Sequence, residues 1–345
     1  MGEPKLNDRA PEVSLVVPTL NEAGCIEQLL ESIERQSHLP MEVIIVDGES
    51  VDKTREIVES FTHRLPNLQI LNNPARRVPN ALNVALAAVS GDIWIRIDAH
   101  SVVPENYIET IVQKFVDQPE LGGVGTPKIA VGQTEWGKTI AAILGSKEAV
   151  GNSSYHWADG DRFVDHIPFG AYRVDVIREL GGWDEELPVN QDFEFDYRLN
   201  EAGYRLLLTD ESHIDWSCRN SLKAFAHQYF RYGQGRASVA LKHPSSVSPR
   251  HGIPSAVVVA LLASPATYLR SRSVAAIPLT LYSSALAYQT LRISQRSKEP
   301  VSRLAPACAA MQLCFGAGFL KRLAQPLMGR PTSITESQVG GSSNV

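Results

Sequence analysis

A chain of 345 residues with 43% hydrophobic and 21% charged side chains holds enough apolar material for one large or two modest domains, and is not the composition of a disordered chain. The net charge of −5 is unevenly spread: residues 251–345 carry nine Lys/Arg against two acids, a net of +7, which leaves −12 for residues 1–250. An acidic front half argues against a nucleic-acid binder, which needs a clustered basic face, and four scattered cysteines without a C-x-x-C pair argue against zinc and for a reducing compartment.

Residues 1–12 are polar with no apolar core, so the front half is expected to stay in the cytosol. Residues 13–17 predict a strand closed by Pro18, followed by Thr19-Leu-Asn-Glu22 and a helix over residues 25–36. Thr19 and Glu22 have capping-box spacing, and the lack of G-x-G-x-x-G after the strand weighs against a dinucleotide-binding dehydrogenase. Residues 42–46 predict a second strand, then a helix through Phe61 with Ser50 or Asp52 as its N-cap. Asp47, at that strand's end, is placed either to accept hydrogen bonds from a nucleobase or ribose or to serve a turn beside Gly48. A third strand covers residues 68–71, and Arg76-Arg77 precede a helix over about residues 79–89, where they can neutralise phosphate or stand as a solvated pair.

Ile93-Trp-Ile-Arg-Ile-Asp98-Ala-His100 then predicts a buried strand delivering an acid and a histidine at its carboxyl end, where open α/β sheets bind ligands. Two residues apart, Asp98 and His100 project to one face and can share a divalent ion that clamps a diphosphate; a turn aspartate and a surface histidine are the alternative. Four strands alternating with helices imply an α/β fold with a mostly parallel sheet and right-handed crossovers.

Further along, residues 122–130 predict a strand and 136–150 a helix, followed to residue 165 by a polar loop able to order over a substrate. The helix beginning near Asn190 holds Asp192, Glu194 and Asp196 in its first turns, more acids than the helix dipole calls for. A strand over residues 204–208 and an amphipathic helix over 221–236 follow. Residues 253–269, 274–291 and 304–320 are uncharged runs of 17, 18 and 17 residues, close to the ~20 that span a bilayer. With basic residues between them, they predict two or three membrane segments with the 292–303 loop on the cytoplasmic side, a buried helical subdomain being the alternative. The expected division is a catalytic domain at 1–250, membrane-associated helices at 251–322 and a disordered tail at 323–345.

Val17-Pro-Thr-Leu-Asn-Glu22, Val46-Asp-Gly-Glu-Ser-Val-Asp-Lys-Thr54, Ala81-Leu-Asn83, Gly91-Asp92 and Asp98-Ala-His100 stand in the order and spacing of inverting glycosyltransferase family 2, which the first 240 or so residues resemble. The resemblance implies the GT-A fold, a Rossmann-like and mostly parallel sheet that binds nucleotide-sugars. It implies a donor site of Pro18, Thr19, Glu22, Asp47, Arg77 and Asp98. Asp98 and His100 match the family's D-x-D as a D-x-H variant holding Mn2+ or Mg2+, with imidazole favouring manganese. Gly170, Trp183, Asp184 and Asp192 resemble the acceptor-side block, Gln191 standing for a glutamate, with Asp192 as catalytic base and Trp183 as a stacking surface for sugar. Gln228-Tyr-Phe-Arg231-Tyr232 resembles the acceptor-mouth signature Q-x-x-R-W, and His213 is a weaker candidate for a third metal ligand.

From residue 192 to 235 the chain is most similar to exopolysaccharide glucosyltransferases of the succinoglycan type. The expected activity is therefore transfer of a hexose from a nucleoside-diphosphate sugar, a UDP-sugar first, to a lipid-linked or growing exopolysaccharide. It would take place at the cell membrane with the catalytic domain in the cytoplasm and no nucleic-acid partner. A polyprenyl-phosphate sugar transferase and a non-catalytic membrane scaffold are the competing readings.

Overall fold

A computed structural model describes residues 10–157, 159–268 and 271–325. They divide into two compact units, the first built from residues 10–129 and 157–216 and the second from 130–156 and 217–325. The first begins β1 (Val13–Thr19), α1 (Ile26–Glu34), β2 (Glu42–Asp47), α2 (Thr54–Ser60), β3 (Leu68–Asn72), α3 (Val78–Ala88) and β4 (Ile93–Arg96). It continues with β5 (Ser101–Val102), α4 (Tyr107–Asp117), β6 (Leu121–Gly125) and β7 (Lys128–Val131). After α5 (Glu135–Leu144) and α6 (Lys147–Val150) it resumes as β8 (Arg162–Val164), β9 (Ala171–Arg173), α7 (Val174–Glu179), α8 (Gln191–Glu201), β10 (Arg205–Leu208) and β11 (Ile214–Ser217).

The main sheet has the order β3-β2-β1-β4-β9-β6-β10-β8. Strands β3, β2, β1 and β4 are mutually parallel, as are β6 and β10, while β9 runs antiparallel between β4 and β6. Strands β2 and β4 are buried along their whole length, as suits apolar runs covered on both faces. The reversed β9 decides where the site lies. Its pairing of Ile95 with Ala171 runs the residues after β4 alongside those before β9, so the segment at 166–170 borders Asp98. On one face of the sheet Trp94, Tyr172, Trp183, Phe195 and Leu199 form the centre of the core.

Several motif residues prove to hold this frame. Glu42 accepts from the Ser14 hydroxyl and from the Ser90 amide and hydroxyl, and a Cβ at Gly91 would collide with Ser14 and the Glu12 carbonyl. Asn83 accepts from the Trp183 amide and donates to its carbonyl, fastening α3 to the loop before α8. The turn it grips has Gly182 at φ +74°, a conformation that favours glycine.

Some expectations change. The capping box does not form, because α1 starts at Ile26 and Glu22 lies outside it, its amide donating to Thr54 Oγ1. The strand expected over 122–130 breaks at Thr126-Pro127 into β6 and β7, and the helix over 136–150 breaks near Gly145 into α5 and α6. The boundary at 250 gives way to two excursions, because 130–156 and 217–250 group with the later helices.

That second unit adds α9 (Leu222–Lys242), α10 (Pro249–Tyr268), α11 (Arg272–Ser297) and α12 (Val301–Ala324). Any side chain at Gly233, Gly316 or Gly318 would strike backbone of the neighbouring helix, so α12 meets α9 and α10 at main-chain distance through small residues, as membrane helices often do. Of the described helices only α12 combines the length and apolarity to cross a membrane. Helices α10 and α11 contain internal prolines yet expose Leu262 (74%), Leu281 (67%) and Tyr288 (66%). Residues 326–345, most of the expected disordered tail, lie outside the described residues.

Candidate active site

Every residue of the central cluster belongs to the first unit. Arg96 and Asp98 are two apart on β4 and its extension, so they share a face; Arg96 Nε and Nη2 reach the same oxygen, Asp98 Oδ1, at 2.9 and 2.8 Å. Arg96 is 5% exposed and also lies over the Phe169 ring, 5.2 Å from its centroid. The Lys128 ammonium is enclosed by Phe169 and Trp216, at 4.8 and 4.6 Å from the ring centroids. Burial pushes its pKa down to about 8 even though Asp192 and Asp98 both oppose the shift. Two acids from separate elements thus act on one enclosed cation.

Asp192 sits in the first turn of α8, its own carboxylate accepting from the Phe193 amide. Burial alone would raise the Asp192 carboxyl, but His166, Arg96 and Lys128, together with that amide, hold it below the ordinary aspartate value. Asp196, one turn later and fully buried, accepts from the Tyr172 hydroxyl at 2.6 Å and the Ile167 amide at 2.8 Å. Glu194, the third acid of this turn, is taken by Arg198 at 2.9 Å.

On the donor side His100 Nε2 accepts from Trp216 Nε1 at 2.8 Å, while Nδ1 stands 3.6 Å from Glu22 Oε1. Because indole only donates, this geometry puts the imidazole proton on Nδ1. Asp98 carries Arg96 on one oxygen alone, so the other suits an ion that draws most of its ligands from diphosphate and water. His100 joins such a set only if its bond to Trp216 opens. Among the described residues no three His, Cys, Asp or Glu side chains group as a metal cage, and His213 faces Asp215 at 3.8 Å. Asp47 ends β2 with its carboxylate accepting from the Ser50 amide and hydroxyl. Pro18 and Thr19 end β1 beside it, paired with Val46 and Asp47. Arg77 is exposed at the start of α3, and Arg76 pairs with Glu49 at 3.0 Å.

The stacking role expected for Trp183 is corrected. Its ring is 4% exposed and packs against Trp94 and Phe195, each 5.0 Å away between centroids, so no sugar can lie on it. Gly170 is buried against Tyr172 and Ile167, and Asp184 accepts from the Glu186 amide. Gln228, Arg231 and Tyr232 lie on α9 of the second unit, where Gln228 donates to the Tyr232 hydroxyl. Arg96, Lys128, His166 and Trp216 were not anticipated, and Asp196 was noted only as a surplus acid on its helix. Arg96 left a trace in the sequence as a charge inside an apolar strand.

A family model described as Glycosyl transferase family 2 matches residues 14–181. The succinoglycan biosynthesis protein ExoA of Rhizobium meliloti (strain 1021) is 33% identical over 314 residues, covering 90% of this chain and 94% of its own length. The dolichyl N-acetyl-alpha-D-glucosaminyl phosphate 3-beta-D-2,3-diacetamido-2,3-dideoxy-beta-D-glucuronosyltransferase of Methanococcus voltae is 25% identical over 323 residues, covering 90% and 97%. Among solved structures, the mannosyltransferase PcManGT of Pyrobaculum calidifontis in complex with GDP-Man and Mn2+ aligns with a TM-score of 0.57 at 20% identity, over 93% of this chain and 91% of that one. That likeness speaks for the GT-A fold.

Proposed function

The chain belongs to glycosyltransferase family 2, and we propose that it moves a hexose from a nucleoside-diphosphate sugar, a UDP-sugar first among them, to a lipid-linked or growing exopolysaccharide acceptor with inversion. The observation that carries this reading is that Asp98 of the donor side and Asp192 of the acceptor side both act on Lys128, whose ammonium lies against the Phe169 and Trp216 rings. Asp192 takes the proton of the acceptor hydroxyl as its oxygen attacks the anomeric carbon. The bond to the diphosphate breaks on the opposite side, and Arg96 and Lys128 face the negative charge that departs with it. Pro18, Thr19, Glu22, Asp47 and Arg77 line the nucleotide. Asp98, with His100 if its bond to Trp216 opened, would hold Mn2+ or Mg2+, which would supply Lewis-acid stabilisation of the diphosphate.

A lipid-linked or polysaccharide acceptor is supported by the two relatives, one named for succinoglycan biosynthesis and the other for a dolichyl-phosphate-linked sugar. Attachment to the membrane through α10–α12 is supported by the apolar length of α12 and the exposed apolar side chains of α10 and α11. The test is to incubate membranes containing the protein with labelled UDP-glucose, UDP-galactose, UDP-N-acetylglucosamine and GDP-mannose, with and without Mn2+, and to extract lipid and polymer. One donor should label an extract, and Asp192→Asn should not. Label at the Asp192→Asn level with every donor would overturn the reading.

A further inference from the structure

Of the buried acids of α8, Asp196 has no part in the chemistry above, and its partners indicate what it is for. Its carboxylate accepts from the Tyr172 hydroxyl and the Ile167 amide and lies 2.7 Å from His166 Nδ1. A carboxylate already accepting from two donors takes the third proton in the same sense, so His166 carries its hydrogen on Nδ1 and, in the neutral ring, a lone pair on Nε2. Asp196 is 0% exposed and out of reach of any substrate. What it fixes is the tautomer and plane of an imidazole, whose ring is also met edge-on by Phe193 at 5.4 Å. Asp192 and Asp196 are four residues apart on α8 and so share one face of the helix, the face on which His166 is held.

We propose that His166 is a positioning and proton-relay residue for Asp192, oriented by Asp196, a role that rests on the reading of Asp192 as the base. As the acceptor oxygen bonds to the anomeric carbon and the bond to the diphosphate oxygen breaks, the hydroxyl proton passes to an Asp192 oxygen. It then passes to His166 Nε2, forming an imidazolium between two carboxylates, and leaves to water from this side chain, which is 16% exposed. Arg96 and Lys128 also bear on Asp192, and these cations with His166 make it a poor resting place for a proton. A histidine that only filled space would not call for a buried carboxylate beneath it, since burial pushes the Asp196 carboxyl up in spite of its donors and an apolar residue would avoid that cost.

The test uses the full chain and the donor identified by the labelled panel, with single-turnover transfer followed from pH 5 to 9. His166→Gln can still donate to Asp196 but cannot accept the proton; its turnover should fall ~10-fold or more, with donor affinity kept and the acid limb of the pH profile lost. Millimolar imidazole should restore part of the turnover of His166→Ala. Wild-type rate and pH profile in His166→Gln beside an inactive Asp192→Asn would remove the relay and leave the base, whereas full turnover in Asp192→Asn would remove both. If His166→Gln lowers the melting temperature, the imidazole experiment decides: recovery supports the relay, and a rate that follows only the folded fraction overturns it.

Discussion

Asp98 and Asp192 both act on Lys128 but are held in different ways. Asp98 stands at the end of a strand with its neutralising partner, Arg96, two residues away on the same face. Asp192 sits on a helix among basic side chains drawn from three other segments, His166 before β9, Arg96 on β4 and Lys128 on β7. The strand side is a rigid local device. The helix side exists only once β4 and β9 of the main sheet and β7 of the smaller three-stranded sheet have come together, so it couples the proposed proton acceptor to the integrity of the fold.

This contrast predicts different consequences when each part is altered, beginning with the largest. Asp192→Asn should lower transfer on the order of 10²–10⁴-fold with little change in melting temperature, measured as initial rates of label transfer at saturating donor. Trp183→Ala should instead cost ~3–5 kcal/mol of stability by denaturant unfolding, the price of a large core cavity, while the folded fraction keeps its donor affinity. A loss of acceptor binding at unchanged stability would restore Trp183 to the sugar.

Lys128 offers a pH handle on the shared cation. Its folded pKa of about 8 lies below the unfolded value of 10.5, so between them the unfolded chain binds a proton that the native chain lacks. Native stability contributed at this position therefore rises with pH. The stability of the wild type relative to Lys128→Met should shift in the wild type's favour by ~2 kcal/mol between pH 7.5 and pH 10, followed by thermal melts. A constant difference would show that the ammonium is not enclosed. The smallest effect is expected of Trp216→Phe, which keeps a ring over Lys128 and removes only the hydrogen bond to His100. It should cost ~1 kcal/mol of stability. If His100 serves as a ligand, the variant should also need less Mn2+ for donor binding, read by calorimetric titration.

The same difference explains what was legible in the sequence. Asp47 with Ser50, and Asp98 with Arg96, are bound to partners two or three residues away, so a linear motif carries the whole arrangement and the strands around it announce themselves by unbroken apolar runs. His166 reaches Asp196 across 30 residues, and β8 and β9 have three residues each, too short for any periodicity. Such a charge balance exists only in three dimensions. Trp183 shows the converse, since an aromatic beside a Gly-Gly turn suits a sugar platform and a core anchor equally, and burial alone separates them. The break of the 122–130 strand at Pro127 was open to inspection, because proline cannot donate to a ladder and ends β6 before β7 begins.

The most direct test of two sides meeting in one site is a calorimetric titration of the nucleotide-sugar against Asp98→Asn and Asp192→Asn, paired with single-turnover transfer. The account predicts that Asp98→Asn binds donor more weakly, while Asp192→Asn binds it as the wild type does and fails to transfer the sugar. Wild-type transfer by Asp192→Asn, or loss of donor binding in both variants to the same degree, would contradict it.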